Sequence, residues 1–474
     1  MAPDPTADAP ARRPNVVLIN CDDLGYGDLG CYGSTRNQTP ALDALAAEGL
    51  RFDSFYMASP VCSPSRGALL TGCYPPRIGF GSFDGLPVLF PGQGLGLPPS
   101  EISLGALLGS AGYRTQMIGK WHCGDQPAFL PTNHGFDHYL GLPYSNDMGR
   151  QAPMAEGPFA PPPGAEPRYL PPLPLLLDHD VIEQQPDQAS LTERYVTEAV
   201  RFLRDCGDDP FFLYLAHLYV HVPIYVQERF ARQSANGPYG AAVASIDWAT
   251  AVLVHELRSL GLEDDTIVIF TSDNGSRGID GGSNQPLRGA KTTTWEGGMR
   301  VPCIVRWPGH VAPGRTTDEV ATAMDLYPTL AAACGATLPD DRTIDGCDIT
   351  ALLEDPEATS PHEAFLYYWM DDLEAVRVGR WKLHLAKHGS VRRELYDLEE
   401  DPGEAHDVLA AHPDVEAAIE VHVEAARRSL GDARTGRAGE DRRPVGRVPD
   451  PVPLTTYDPE HPYYLAEYDL TDRG

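Results

Sequence analysis

Three groups of residues in the 474-residue chain are of types that can do chemistry together. In the first, Asp22 and Asp23 follow the apolar run NVVLIN (15–20) after Cys21, and Asp273 and Asn274 directly follow TIVIFTS (266–272). Three carboxylates and an amide brought to one point make an all-oxygen site, the donor set of a hard cation such as calcium or magnesium. Singly, Asp-Asp and Asp-Asn-Gly are ordinary turn residues. Two such pairs at the ends of buried strands make a metal site as good a reading as a pair of turns.

The second group is Cys62-Ser63-Pro64-Ser65-Arg66. A cysteine just before a proline-opened helix sits near the positive helix end, which favours the thiolate. Arg66, four residues on, can face the same point. A buried structural cysteine with an unrelated arginine is the plain alternative. The third is GYRTQMIGKWH (112–122), where Lys120 and His122 follow a strand. Lysine offers charge to an anion, and histidine can act as a general acid. His221 in YVHVPI and Lys291 in LRGAKTTTWEGGMR have the same potential; alone, each reads as a solvated residue, and Ser145 in GLPYSNDMG as a loop serine.

The elements that must position these groups follow from periodicity. NVVLIN reads as a buried parallel strand. Thr39 caps and Pro40 opens a helix ending near Gly49, and RFDSFYM (51–57) is a second strand. A short helix runs to Thr71-Gly72, a helix capped by Ser100 spans 100–112, and a strand spans 113–119. Further on come a helix at 192–206, a strand at 210–218, a long helix at 241–261, strands at 265–275 and 301–309, and a helix at 325–335. Residues 149–185 are proline-rich and aperiodic, and read as an excursion that could wall a substrate pocket. Strands alternating with helices predict an α/β fold, a large mostly parallel sheet with helices on both faces. After residue 358 four short strands in close succession predict an antiparallel sheet, followed by a helix near 406–430 and a charged tail to 474. The expected organisation is a disordered leader (1–13), a catalytic domain (14–358) and a smaller C-terminal subdomain (359–474). Ligands of open α/β sheets bind beyond the carboxyl ends of strands, where the candidate residues cluster.

Composition narrows the partners. A net charge of −30 repels nucleic acid and anionic membrane, so neither is expected as a partner. An anionic substrate needs a local island of positive charge, and a small ester suits this surface better than a densely charged polymer. Nine scattered cysteines without a CxxC pair read as mostly free buried thiols. The N-terminal residues carry no apolar run of signal length and no stretch is long enough to span a bilayer, so the expected location is the cytoplasm.

Taken together, CSPSR followed by LLTGxYP, GYRTQMIGKWH, VVLINxDDLGYGD, TSDNG and KTTTWEGGMRVP resemble the signatures of the sulfatase family, in the expected order over roughly residues 14–400. LPTNHGFDHYLGLPYSND is most similar to the arylsulfatase A and N-acetylgalactosamine-6-sulfatase branch. The resemblance implies an alkaline-phosphatase-like fold and hydrolysis of sulfate esters to alcohol and inorganic sulfate. It implies that a separate formylglycine-generating enzyme oxidises Cys62 to formylglycine (3-oxoalanine), whose aldehyde hydrates to a geminal diol. One hydroxyl attacks sulfur and expels the alcohol; the other then loses its proton as the aldehyde re-forms and sulfate leaves. Asp22, Asp23, Asp273, Asn274 and the modified Cys62 would hold a divalent cation, calcium or else magnesium. Arg66 would hold the diol and His122 would help it break down. Lys120, His221, Lys291 and Ser145 would bind sulfate, with Lys291 or His221 protonating the leaving oxygen. Two other readings are a phosphonate-monoester or phosphodiester hydrolase of the same superfamily, and a non-catalytic metal-binding protein with an unmodified Cys62.

Overall fold

Val16, Val17, Leu18 and Ile19 are all fully buried, yet alternate members join different apolar clusters on opposite faces of the strand Asn15–Cys21. A strand buried on both faces requires a layer above and a layer below. The computed structural model, which describes residues 13–149 and 171–454, meets that requirement with a ten-stranded sheet. From edge to edge the strands are Arg315–Thr317, Leu50–Phe52, Cys303–Arg306, Thr266–Ser272, Asn15–Cys21, Phe211–Ala216, Arg114–Lys120, His138–Leu142, Pro174–Leu177 and Asp180–Gln184. The five from Thr266–Ser272 to His138–Leu142 are mutually parallel. Antiparallel pairs flank this block on both sides, so the mostly parallel α/β sheet is observed with mixed margins. Helices Leu191–Asp205 and Gly237–Ser259 cover one face, and Leu104–Ser110 and Leu326–Cys334 the other. Burying each large aliphatic side chain contributes about 1.5–3 kcal/mol.

The five parallel strands end level. Cys21 pairs with Ser272, Asn20 with Ala216, Gly119 with Ala216 and Lys120 with Leu142. Gly119 has φ +105°, and a Cβ there would lie 1.9 Å from the carbonyl oxygen of Ala216. Only glycine permits this approach of the two strands just before Lys120.

Several expectations are corrected. The 171–185 part of the supposed excursion forms the last two strands at one margin of the main sheet, with Leu173, Leu175 and Leu176 fully buried. Pro174 is tolerated because it stands at the first position of its strand, where the missing N–H costs the ladder least. Residues 150–170 of that excursion lie outside the described residues, as do 1–12 of the expected leader and 455–474 of the tail. The strand expected at 51–57 is broken: Leu50–Phe52 stays in the main sheet, while Phe55–Tyr56 leaves it to pair with Ala321–Thr322. The helix expected from Ser100 is Leu104–Ser110, capped by Ser103, whose Oγ accepts from the Ala106 amide. Thr39 does not cap Pro40–Ala47. Its hydroxyl accepts from Gly30 N and donates to Asp43, and the open helix end is met by Asp247, which accepts from Ala41 N and Leu42 N.

Phe365–Trp369, Asp372–Val378, Trp381–Lys387 and Ser390–Asp397 form the antiparallel sheet in sequential order. Ile419, Val423 and Ala426 of helix Pro413–Ser429 pack on it, in one cluster with Tyr56, Met299 and Met324 of the main layer. The described part of the tail runs back to the main layer, where Gly446–Arg447 pairs with Leu95–Gly96. Among the described residues no helix is long and apolar enough to cross a membrane.

Candidate active site

Because the strands end level, their following residues meet at one edge. Asp22 and Asp23 leave Asn15–Cys21, Asp273 and Asn274 leave Thr266–Ser272, and Lys120 ends Arg114–Lys120. Carboxylate oxygens of Asp22, Asp23 and Asp273 lie within 4.8 Å of one another. All three side chains are buried, as are Asn274, Arg66, Lys120, His122 and Ser145.

Each carboxylate faces a cation. Lys120 Nζ donates to Asp22, Lys291 Nζ lies 2.8 Å from Asp23, and Arg66 Nε and the terminal Nη2 both stand 2.8 Å from Asp273 Oδ2. Burial opposes ionisation of Asp22, but Lys120, His221, Arg66 and Lys291 outweigh it and hold its carboxyl well below the usual range. Burial, then the neighbouring Asp22 charge, push Asp273 upward in spite of Arg66. Three carboxylates this close repel strongly in the absence of counter-charge. Asp22 Oδ1 and Asn274 Oδ1 are buried without a hydrogen-bond partner among the described residues. Two orphaned oxygens beside two further carboxylates are the donor set of a hard cation, so these residues fit one.

Cys62 is the first residue of the helix Cys62–Thr71, all of whose residues are buried. The expected thiolate is not favoured: burial pushes the thiol up and outweighs the lowering effect of Lys120 and Lys291. The remaining candidates join the same centre. Arg66 Nη1 donates to the Lys120 carbonyl at 2.7 Å, fixing the helix against the strand end. Ser145 Oγ lies 3.3 Å from Lys120 Nζ and 3.5 Å from the His221 ring, which stands 3.9 Å from Asp23 Oδ2. His122 Nε2 faces the Leu89 carbonyl at 3.0 Å, which assigns the proton to Nε2 and leaves Nδ1, buried and unpartnered, as the basic atom. Burial and Lys120 hold this ring well below the ordinary histidine range, in its neutral form. Asp23, His122 and Thr292, next to Lys291, have φ of 62°, 59° and 73°. Non-glycine residues in this region cost about 1–3 kcal/mol each and cluster at functional sites.

Supporting residues were missed in the sequence. Ser65 Oγ donates to the Asp273 carbonyl at 2.5 Å, and the Thr292 amide to the Pro60 carbonyl at 2.9 Å, tying the Lys291 loop to the Cys62 helix. Tyr239 donates to Asp28 at 2.5 Å below the Asp22-Asp23 turn. A buried network also holds the segment after Lys291: Lys382 Nζ lies 2.9 Å from Glu296 and 3.0 Å from Glu404. Only the second serine of CSPSR stood near a recognisable signal.

The sulfatase family profile matches residues 14–336, and that of the N-sulphoglucosamine sulphohydrolase C-terminal region matches 290–429. The chain is 42% identical to arylsulfatase A of Homo sapiens over 85% of its own length and 84% of that protein. It is 40% identical to N-acetylgalactosamine-6-sulfatase of Rattus norvegicus (79% and 72%) and 39% identical to steryl-sulfatase of Mus musculus (80% and 71%). Among solved structures, the PsFucS1 sulfatase from Pseudoalteromonas sp. superposes with a TM-score of 0.75 at 28% identity, covering 88% of this chain and 91% of that one. The phosphonate monoester hydrolase of Agrobacterium radiobacter shares the alkaline-phosphatase-like fold alone, with a TM-score of 0.62 at 20% identity over 88% and 95% of the chains. These relatives overturn the expected cytoplasmic location, since arylsulfatase A, steryl-sulfatase and N-acetylgalactosamine-6-sulfatase are not cytoplasmic enzymes. Match over most of the chain, shared fold and a common order of motifs lead to one conclusion: the chain belongs to the sulfatase family, the hydrolases of sulfuric esters.

Proposed function

We propose that this sulfatase hydrolyses a small sulfate ester, with a formylglycine made from Cys62 by a formylglycine-generating enzyme. Asp22, Asp23, Asp273 and Asn274 would hold calcium, with the modified side chain of residue 62 beside it. The observation that carries the reading is the pair of buried, unpartnered oxygens, Asp22 Oδ1 and Asn274 Oδ1, beside Asp23 and Asp273. When bound, the cation lowers the pKa of an adjacent hydroxyl and polarises a sulfate oxygen.

The protein groups supply the rest. Arg66, Lys120 and Lys291 bring three positive charges against the three carboxylates. This balance leaves room for one divalent cation and one sulfate dianion with no net charge added. Lys120, Lys291 and His221 bind the sulfate oxygens, and Ser145 donates a further hydrogen bond, in a buried pocket where such charges act strongly. Arg66 braces the helix that carries residue 62. His122 Nδ1 accepts the proton released when sulfate departs. Lys291 or His221 gives a proton to the bridging oxygen of the leaving alcohol.

The test is intact-protein mass together with turnover of an aryl sulfate. Formylglycine is about 18 Da lighter than cysteine, a difference set by the oxidation chemistry of the side chain. Sustained turnover by protein carrying only unmodified Cys62 would overturn the reading.

A further inference from the structure

Among the described residues a second group of potential ligands comes together away from the catalytic edge. Asp325, Cys347 and His362 each offer one ligand atom within 4.8 Å of the others. They come from three separate segments. Asp325 directly precedes helix Leu326–Cys334, Cys347 lies in the following connection, and His362 stands just before strand Phe365–Trp369 of the C-terminal sheet.

Asp325 is already oriented by the backbone. Its Oδ2 accepts from Thr322 N at 2.7 Å and its Oδ1 from Cys347 N at 2.8 Å. His362 Nε2 lies 2.9 and 2.8 Å from the two oxygens. That pairing alone gives the thiol of Cys347 no part. A cation gives all three groups one. The donor set is one imidazole nitrogen, one thiolate sulfur and one carboxylate oxygen, which selects a borderline transition-metal ion over calcium or magnesium. Tetrahedral zinc bonds place neighbouring ligand atoms about 3.3–3.6 Å apart. Opening the His362–Asp325 contact by about half an ångström therefore admits the ion at known zinc bond lengths. Thiolate and carboxylate together neutralise a dication. His362 lines a cavity of about 1030 Å³ between the two sheets, which gives the ion an entry path and room for a water as fourth ligand.

We propose that Asp325, Cys347 and His362 form a second metal site, for a zinc-class divalent cation, that ties the C-terminal sheet to the catalytic layer. On binding, the Cys347 thiol releases its proton to solvent and the thiolate sulfur bonds the metal, with no change of oxidation state. The site is independent of sulfate-ester chemistry.

Cobalt(II) is the probe, added to the full chain with calcium in excess and in a Cys62→Ala background, so that the catalytic centre contributes no thiolate. The expected result is a thiolate-to-cobalt charge-transfer band that saturates at one equivalent and disappears when zinc is added. Cys347→Ser should abolish the band. His362→Ala should weaken binding about 10–100-fold, at least the loss typical of an outer-shell partner. With Cys62 intact, Cys347→Ser should leave sulfate-ester hydrolysis unchanged, and zinc should raise the melting temperature of the parent but not of this variant. Absence of the band in the Cys347-containing protein overturns the proposal whatever the variants do. So does a band that survives Cys347→Ser.

Discussion

Lys382→Met removes the cation that lies between Glu296 and Glu404 in a buried network, and leaves Arg300, 3.6 Å from Glu296, in place. The Lys382 and Glu296 side chains and that of Glu404 are fully buried. The lysine also donates to the Thr294 carbonyl at 3.0 Å. Breaking a buried ion pair from one side costs about 3–5 kcal/mol, because the partner charge is left uncompensated. Here the remaining contacts favour the lower end. Glu296 keeps the hydroxyls of Tyr56 at 2.5 Å and Tyr367 at 2.7 Å, and Glu404 keeps the Glu296 amide and His384, both at 2.7 Å. A loss of about 3 kcal/mol is therefore expected. It should appear in urea unfolding as a lower midpoint with an unchanged m-value. Adding Glu404→Gln removes one of the two facing carboxylates, and a coupling of about 1–3 kcal/mol should be recovered. Since Glu296 follows Lys291 in the same segment, kcat should fall with Lys382→Met as well. A stability change under about 1 kcal/mol, or no recovery in the double variant, would refute the idea that this network holds the segment through charge.

Cys62→Ala should abolish sulfate-ester hydrolysis while leaving the unfolding midpoint near that of the parent; Cys62→Ser should manage no more than a single turnover, and repeated turnover in a product-burst assay sinks the diol mechanism. Chelation should lower both activity and melting temperature, since Asp22, Asp23 and Asp273 then repel one another, and calcium should restore both; an unchanged melting curve after verified metal removal counts against the site. Loss of a general acid costs about 10²–10⁴-fold and more for poor leaving groups, so Lys291→Ala or His221→Ala should steepen the dependence of kcat on leaving-group pKa across a series of sulfate esters. Equal losses along the series assign both to sulfate binding alone. Burial pushes Asp247 up from 3.8 to about 6, so the folded state holds its proton longer than the unfolded chain. Stability should therefore decline as pH rises from about 4 to 6, by up to about 3 kcal/mol, and Asp247→Asn should flatten that decline in urea titrations at each pH.

What could be read in advance was whatever is written locally. NVVLIN and TIVIFTS are short β-branched runs with acidic residues after them, and both became central strands whose ends face the centre. CSPSR and GKWH carry their chemistry within a few residues, and the structure brings Cys62, Arg66, Lys120 and His122 to one edge. The hidden parts depend on partners far along the chain. Thr39 looked like a cap, but Asp247, on another helix, takes that function. Leu173, Leu175 and Leu176 are core residues that the surrounding prolines disguised as loop, because a strand accepts at its first residue a proline that its interior refuses. The Glu296–Lys382–Glu404 network joins residues from two layers, and no periodicity announces a contact of that kind.

The burial of Cys62 also bears on timing. Its side chain is only 2% exposed, and every residue of its helix is enclosed, with the Lys291 loop tied across the preceding turn through Thr292 and Pro60. A second protein that must grip the CSPSR segment has no purchase on the finished molecule. On the proposed function, oxidation of residue 62 would therefore have a window, open while the polypeptide is still being made or has yet to close, and shut once the strands are in register. Synthesis that outruns the modifying enzyme would leave a population of well-folded, permanently silent molecules that no later encounter could repair without unfolding them.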